Sequence, residues 1–423
     1  MNCELLCIGT ELLLGNTVNT NAADVAVMLS ELGINVYWHS VVGDNPGRLA
    51  ESVELAKSRA DLIITIGGLG PTYDDLSKTV VAECFGKKLV YRPEEAEKIR
   101  RWFRDNHAAV FTDNNLQQAY LPEDCVVLDN HWGTAPGCAF EVSGIRVIML
   151  PGPPRECLPM FRECATPWLR SLSEDVLVSR QIKVFGMGES AVEDLLREDM
   201  VEMKNPSLAT YAKTGEVMLR VTAKAKTEAE AAALCEPVVK QVCDRLGDIV
   251  YGVDVASLEA LVLALLRERE KTFSAAESLT GGLIGARFTA LPGASAAFRG
   301  GAVTYCDAVK AGLLGIDPTL IAEKGAVSRE VAREMALGVR RVTGADLGVS
   351  ATGLAGPDGD GRNPVGTVFV GLAAPEGVWV RHLNLGKGNR DRIRTISAHN
   401  AFDMLRRYLT GLPIVKEEIH NDL

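Results

Sequence analysis

The chain contains no Cys-x-x-Cys pair and no Cys/His cluster with zinc-site spacing, which argues against a structural zinc module. Its ten cysteines, at 3, 7, 84, 125, 138, 157, 164, 235, 243 and 306, are expected to be free, mostly buried thiols in a reducing compartment. Long apolar runs are missing too. Leu261–Leu266 is far short of the roughly 20 residues a bilayer demands. The N-terminal Met-Asn-Cys-Glu-Leu-Leu lacks the basic region and apolar core of a secretory signal. The expected location is therefore cytoplasmic, without a membrane partner. No basic stripe is present, and the formal net charge is −10, so direct nucleic-acid binding is not expected. Histidine is scarce, with six residues.

Apolar residues make up 47% and charged residues 24% of the 423 positions, as in ordinary globular proteins. At about 150 residues per domain, this length suggests two or three domains. Charge divides the chain unevenly. Residues 1–170 carry 15 basic and 22 acidic side chains, 171–255 carry 10 and 15, and 256–423 carry 20 and 18. The shift near 255 marks a boundary. The pattern of elements gives three segments: 1–172, a small α+β module over 173–255, and 256–423. Strands at 4–8, 35–42 and 61–66 alternate with helices near 21–32, 48–59 and 74–85, and a hairpin spans 138–150. This alternation predicts a doubly wound α/β domain. A second such domain begins at 257, with strands at 271–276, 298–305, 346–351, 365–373 and 378–384. Its helices are predicted at 257–270, 278–289, 307–314, 328–342 and 390–409. The module between has no obvious chemistry and reads as a spacer or dimerisation unit.

In the first segment three loops follow three strands: Gly9-Thr10-Glu11, Gly67-Gly68-Leu69-Gly70-Pro71-Thr72 and Pro151-Gly152-Pro153-Pro154. Ligands of open α/β sheets bind at carboxyl strand ends, where glycines let backbone N–H groups approach a phosphate. Asp74 and Asp75 follow the second loop and Glu156 the third, and the strand at 35–42 ends in Gly43-Asp44-Asn45. Such carboxylates are the hard ligands Mg²⁺ or a similar ion requires. Asp74 or Asp75 fits the N-cap of the next helix almost as well. Asn19, in Asn19-Thr20-Asn21, fits either a helix cap or a ligand contact.

The last segment carries Ala276-Glu277-Ser278-Leu279-Thr280-Gly281-Gly282 where a strand gives way to a helix. Ser278 fits a helix cap or a nucleophile, with backbone N–H groups of Thr280, Gly281 and Gly282 placed for an oxyanion. A Ser-His-Asp triad is hard to build, because this segment holds only His382, His399 and His420. Lys310, in Tyr305-Cys306-Asp307-Ala308-Val309-Lys310, is the better base, since a buried lysine can lose its proton near neutral pH. Tyr305 and Cys306 read more simply as packing residues, and Lys310 as a solvated helix lysine. A further glycine loop runs through Thr352-Gly353-Leu354-Ala355-Gly356-Pro357, and Arg390, opening the last helix, suits a phosphate.

Together these motifs resemble the CinA (competence/damage-inducible) family over essentially the whole chain. The first segment resembles its molybdopterin-binding-like domain through Gly9-Thr10-Glu11-Leu12, Asn19-Thr20-Asn21, Gly67 to Thr72 with Asp74-Asp75, and Pro151 to Pro154 with Glu156. The last resembles its nicotinamide-nucleotide amidase domain through Ala276 to Gly282, Val303-Thr304-Tyr305 with Lys310, Gly353 to Gly359, and Pro364 to Val368. The resemblance implies two hydrolase activities. One removes the amide of nicotinamide mononucleotide, with Ser278 as nucleophile, Lys310 as base, Tyr305 assisting and no cofactor. Thr280, Gly281, Gly282, Thr352, Gly353, Ala355, Gly356 and Arg390 would hold that substrate. The other cleaves the ADP-ribose pyrophosphate with a divalent Mg²⁺, Mn²⁺ or Co²⁺. Gly68, Gly70, Thr72 and Asn19 would bind its substrate, and Asp44, Asp74, Asp75 and Glu156 its metal. The middle module resembles the family's KH-like domain, and a homodimer is implied. Leu279 and Ser77 depart from the family's usual Cys and Thr. Two other classes compete: a pterin- or nucleotide-binding module, and an accessory protein of DNA uptake or recombination. The retained carboxylates favour chemistry over the first, and the acidic balance argues against DNA contact in the second.

Overall fold

A computed structural model describes residues 1–106, 110–172 and 175–414. They form two compact units, Met1–Val178 with Lys224–Ala232, and Ser179–Ala223 with Ala233–Leu423.

The first unit is built on strands β1 (Asn2–Ile8), β2 (Asn35–Val42) and β3 (Leu62–Ile66), a two-stranded ribbon of β4 (Leu89–Tyr91) and β5 (Tyr120–Pro122), and strands β6 (Val126–Leu128), β7 (Gly137–Val142) and β8 (Ile145–Leu150). The main sheet has the order β2-β1-β3-β8-β7-β6. Strands β1, β2, β3 and β8 pair in parallel, and β7 and β6 pair antiparallel at one side. The near-continuous apolar runs of β1 and β3 arise because both faces are covered. Alternate residues serve opposite cores: Leu5, Cys7 and Ile64 face one cluster, while Leu6, Ile8 and Ile63 face the other. The period-2 geometry of the strand thus fixes a doubly wound layer arrangement.

A four-stranded sheet, most of it in the second unit, contains β9 (Val176–Val184), β10 (Ser207–Lys213), β11 (Glu216–Ala225) and β12 (Val250–Val253), in the order β10-β11-β9-β12. Helices Glu189–Glu202 and Glu228–Leu246 complete this α+β module. Strand β10 has no counterpart in the sequence reading. Its Ser-Leu-Ala-Thr-Tyr-Ala-Lys run alternates weakly, and pairing with β11 across the Thr214-Gly215 turn defines it. The larger sheet contains β13 (Phe273–Glu277), β14 (Phe298–Val303), β15 (Leu347–Gly353), β16 (Thr367–Ala374) and β17 (Gly377–Asn384), in the order β14-β13-β15-β16-β17. The first three strands are parallel and the last two antiparallel. One core joins module and sheet, running from Phe185 and Tyr251 to Phe273 and Phe402. Arg406 and Arg407 of the last helix reinforce it by donating to Asp403 and to the Asp248 region.

All ten cysteines are free; five are buried, and Cys306 is exposed rather than packed. No helix among the described residues is long and apolar enough to cross a membrane.

Candidate functional site

In the second unit the carboxyl ends of β13, β14 and β15 lie side by side, because Glu277 pairs with both Val303 and Ala351. Their loops carry the predicted chemistry to one edge. The predicted helix start at 278 is corrected. Residues 278–282 form a turn, and the helix spans Leu283–Thr289 with left-handed Gly282 as its N-cap residue. Ser278 is therefore not the cap. Its N–H donates to Ala351 O at 2.9 Å, and its half-buried hydroxyl has no partner among the described residues. The capping is done by Glu277, whose buried carboxylate accepts from the N–H groups of Gly282 (3.0 Å), Ile284 (3.1 Å) and Gly285 (2.9 Å). This role was not foreseen, although Glu277 stands inside the quoted motif.

That arrangement also changes the anion-binding assignment. Gly282 N–H is held by Glu277, and Gly281 N–H donates to Ser278 O at 3.0 Å, so neither is free for an oxyanion. The N–H groups of Leu279 and Thr280 have no acceptor among the described residues. The hydroxyls of Thr280 and Thr304 are fully buried without partners among the described residues. Two such groups beside one turn mark a place where a ligand would complete the bonding.

Lys310 is not solvated. It is 1% exposed, on the helix Asp307–Leu314 that begins four residues after β14 ends, and its ammonium lies 3.6 Å from Asp307. Burial pushes its pKa below the ordinary lysine value, and the nearby Asp307 opposes the shift. Tyr305, read as a packing aromatic, is 58% exposed. Its hydroxyl accepts from Arg390 Nη2 at 2.9 Å, while Arg390 Nη1 donates to Gly356 O at 2.6 Å. One helical turn on, Arg394 donates to Thr280 O at 2.9 Å. Arg390 and Arg394 thus link the loops that follow β13, β14 and β15. Arg394 was missed; its i+4 spacing from Arg390 is the signal that pairs them.

The rest of the β15 loop plays structural parts. Thr352 donates its hydroxyl to Ala326 O at 2.8 Å, so that group is spent inside the fold. A Cβ on Gly353 would lie 2.7 Å from Thr367 O, and Ala355 belongs to the core. Only Gly356 in this set reaches Arg390.

In the first unit, loops after β1, β3 and β8 likewise meet at carboxyl ends. Gly67 N–H donates to Leu150 O, and Asn21 donates to Gly152 O at 2.6 Å. Gly68 is required here: it has φ +66°, and a Cβ would meet Ser77 Oγ at 1.9 Å. The N–H groups of Gly68, Leu69 and Gly70 have no acceptor among the described residues, and the buried Ser77 hydroxyl beside them has no partner. These donors suit a phosphate. Below them lies Lys78, 5% exposed, which donates to Gln118 O at 2.8 Å and Gln117 O at 3.2 Å. Burial lowers its pKa to about 8.

The four carboxylates do not share a centre. Asp44 accepts from the N–H and hydroxyl of Thr10, both at 2.8 Å. Asp75 accepts from the N–H of Thr72 at 2.8 Å and from its hydroxyl at 2.5 Å. The latter two bonds commit Thr72 as well, and a Cβ on Gly70 would meet Asp75 Oδ2 at 2.5 Å. Neither Asp74 nor Asp75 caps the helix, which starts at Ser77. Glu156 is 8% exposed, accepts from Asn130 Nδ2 at 2.9 Å, and has its pKa raised by burial. Asp74 alone is exposed with an uncommitted side chain. Among the described residues no three His, Cys, Asp or Glu side chains group as metal ligands. Asn19 caps the helix Thr20–Glu31, accepting from Ala22 N–H at 3.2 Å.

These features define a chain of two α/β domains and a small α+β module, with two loop clusters suited to anionic ligands. The family models agree segment by segment: a probable molybdopterin binding domain over residues 4–171, a damage-inducible protein CinA KH domain over 179–252, and a CinA C-terminal domain over 255–409. The chain is 46% identical over 413 residues to a putative competence-damage inducible protein of Acetivibrio thermocellus, covering 97% of this chain and 100% of that one. It is 45% identical over 413 residues to a CinA-like protein of Dictyoglomus turgidum, with the same coverage. Among solved structures, a competence/damage inducible protein from Agrobacterium tumefaciens is 34% identical over 36% of this chain and 93% of its own, with TM-score 0.35. The chain belongs to the CinA family.

Proposed function

We propose that the chain is a bifunctional pyridine-nucleotide hydrolase of the cytoplasm, active as a homodimer without direct nucleic-acid contact. Its last domain would deamidate nicotinamide mononucleotide to nicotinate mononucleotide and ammonia. The observation that carries this reading is an uncommitted Ser278 hydroxyl at the strand edge that also presents the helix of buried Lys310. In the proposed reaction neutral Lys310 accepts the Ser278 proton as Oγ attacks the amide carbon. The N–H groups of Leu279 and Thr280 hold the resulting oxyanion. Collapse breaks the C–N bond, and Lys310 returns the proton to the departing ammonia. Water then hydrolyses the ester and restores the serine. Arg390 and Tyr305 would hold the nucleotide phosphate. No cofactor enters this sequence. The test is ammonia release from nicotinamide mononucleotide by the purified chain in EDTA. Release is expected; its absence in folded protein would leave the last domain as a binding module.

The first domain would cleave the ADP-ribose pyrophosphate, with the N–H groups of Gly68 to Gly70 and the Ser77 hydroxyl as the phosphate cradle. The activity is expected to need Mg²⁺, Mn²⁺ or Co²⁺, and chelation with add-back of each ion tests that. The carboxylates do not fit a shared centre, so we assign no reaction step to the ion.

A further inference from the structure

The second unit holds a cavity of about 1100 Å³ that neither proposed reaction uses. One wall is the α+β module, through Phe185–Glu189 and Ala212–Val217. The other is β17 and the helix Arg390–Thr410. Ser278, Tyr305 and Lys310 do not line it. The helix separates the two places by its own period. Arg390 and Arg394 bond the serine-side loops, whereas Arg392, Ile396 and Asn400 face the cavity.

Its lining is divided by chemistry. Phe185, Met187, Val217, Ile249, Leu383 and Ile396 make an apolar interior. Exposed Lys213, Arg329 and Arg392 stand on it without a carboxylate partner among the described residues. Arg329 donates to Val380 O at 2.8 Å and Arg392 to Leu385 O at 3.4 Å, which leaves both charges unneutralised. The acids are fewer: Asp403 pairs with Arg381, Arg406 and Arg407, while Glu189 and Glu216, the latter accepting from the Tyr251 hydroxyl, keep their charges against the five lysine and arginine side chains of the lining. A cationic lining in a chain of net charge −10 is a local feature that favours an anion. Behind Phe185 lies the ring of His399, with centroids 5.8 Å apart. His399 is 5% exposed; its Nε2 bonds Arg287 and its Nδ1 has no partner among the described residues. That Nδ1 faces Gly215 of the cavity wall, where a Cβ would lie 2.9 Å away.

The geometry points to a second small-molecule site that binds a nucleoside phosphate. The apolar and aromatic walls take the base and sugar, and Lys213, Arg329 and Arg392 take the phosphate. The volume admits a dinucleotide. This site stands apart from the amidase reading and does not depend on it.

Hydrogen exchange of the full chain, read peptide by peptide with AMP and with NAD as probes, tests it. Protection of 212–217 and 392–400 by either nucleotide is expected. The Lys213→Glu, Arg392→Glu double variant should need about tenfold more nucleotide for the same protection. Lys213→Glu alone, at an exposed position, gives the same direction if the double variant is unstable. Failure of both nucleotides to protect these segments overturns the proposal. So does protection that is equally strong in the charge-reversed variants, or that is confined to residues 67–77 and 278–282.

Discussion

Both units place glycine-rich turns at carboxyl strand ends, and both bury a lysine close by, yet they spend their polar groups differently. In the first, the acidic side chains that look catalytic hold the loops in shape: Asp44 binds Thr10, and Asp75 binds Thr72. Lys78 is tied to two carbonyls. In the second, one acid, Glu277, does the capping, and the Ser278 hydroxyl is left over. Among the described residues Lys310 has one ion-pair partner, Asp307, at 3.6 Å. The general lesson is that a residue's chemistry is available only after the fold's own hydrogen bonds are counted.

The largest expected effect separates the two units. Ser278→Ala should lower ammonia release by at least about 10³-fold and leave pyrophosphate cleavage at the parent rate. Ammonia release at the parent rate would reduce Ser278 to a turn residue. Lys310→Met should follow, with a loss of about 10²–10⁴-fold, the usual range for a general base. Its pH dependence gives the finer test. Because burial lowers the Lys310 pKa, the rising limb of the amidase profile should lie below the ordinary lysine range. Asp307 raises that pKa, so Asp307→Asn should move the limb to lower pH. A limb unmoved in that variant would assign the titration to another group.

Within the first unit the carboxylates themselves can be sorted. Asp75→Ala removes two bonds that shape the glycine loop and should destabilise the unit by about 1–3 kcal/mol. Asp74→Ala touches no bond and should leave the melting temperature unchanged. If Asp74 serves the proposed pyrophosphatase, its loss should abolish metal-dependent cleavage with stability intact. Equal melting losses in both variants would contradict the bonding described here.

Much of this was legible in the sequence. The strand–helix alternation gave the layers, and β2 and the helix Asp307–Leu314 fall on their predicted bounds. The clustering of Ser278, Tyr305 and Arg390 at adjacent loops followed from their places at strand ends. What was not legible was competition for hydrogen bonds. The roles of Glu277 and Arg394, and the engagement of Asp75 with Thr72, were hidden because partners far away in sequence, or on neighbouring turns, decide them. Strand β10 was hidden for a similar reason, since its register depends on β11 rather than on its own alternation. The cavity on the other face of the last helix left no motif at all, because its lining comes from short pieces scattered from Phe185 to Arg407.

The remaining contrast concerns the buried lysine that does no proposed chemistry. Lys78 has a folded pKa of about 8 against an ordinary 10.5. Between those values the unfolded chain holds a proton that the native chain has released, so stability rises with pH across that window. At lower pH the fold carries the cost of a buried ammonium, at most roughly 3 kcal/mol. Lys78→Met removes this titration. The stability difference, variant minus parent, should therefore fall by up to that amount between pH 8 and 10.5. Four of the five tryptophans, Trp38, Trp102, Trp132 and Trp168, lie in the first unit, so urea unfolding followed by tryptophan fluorescence reports on it. A difference that stays constant with pH would mean that Lys78 is charged to the same extent in both states. Its two carbonyl partners would then be holding the ammonium fully compensated, and the contrast with Lys310 would rest on bonding alone.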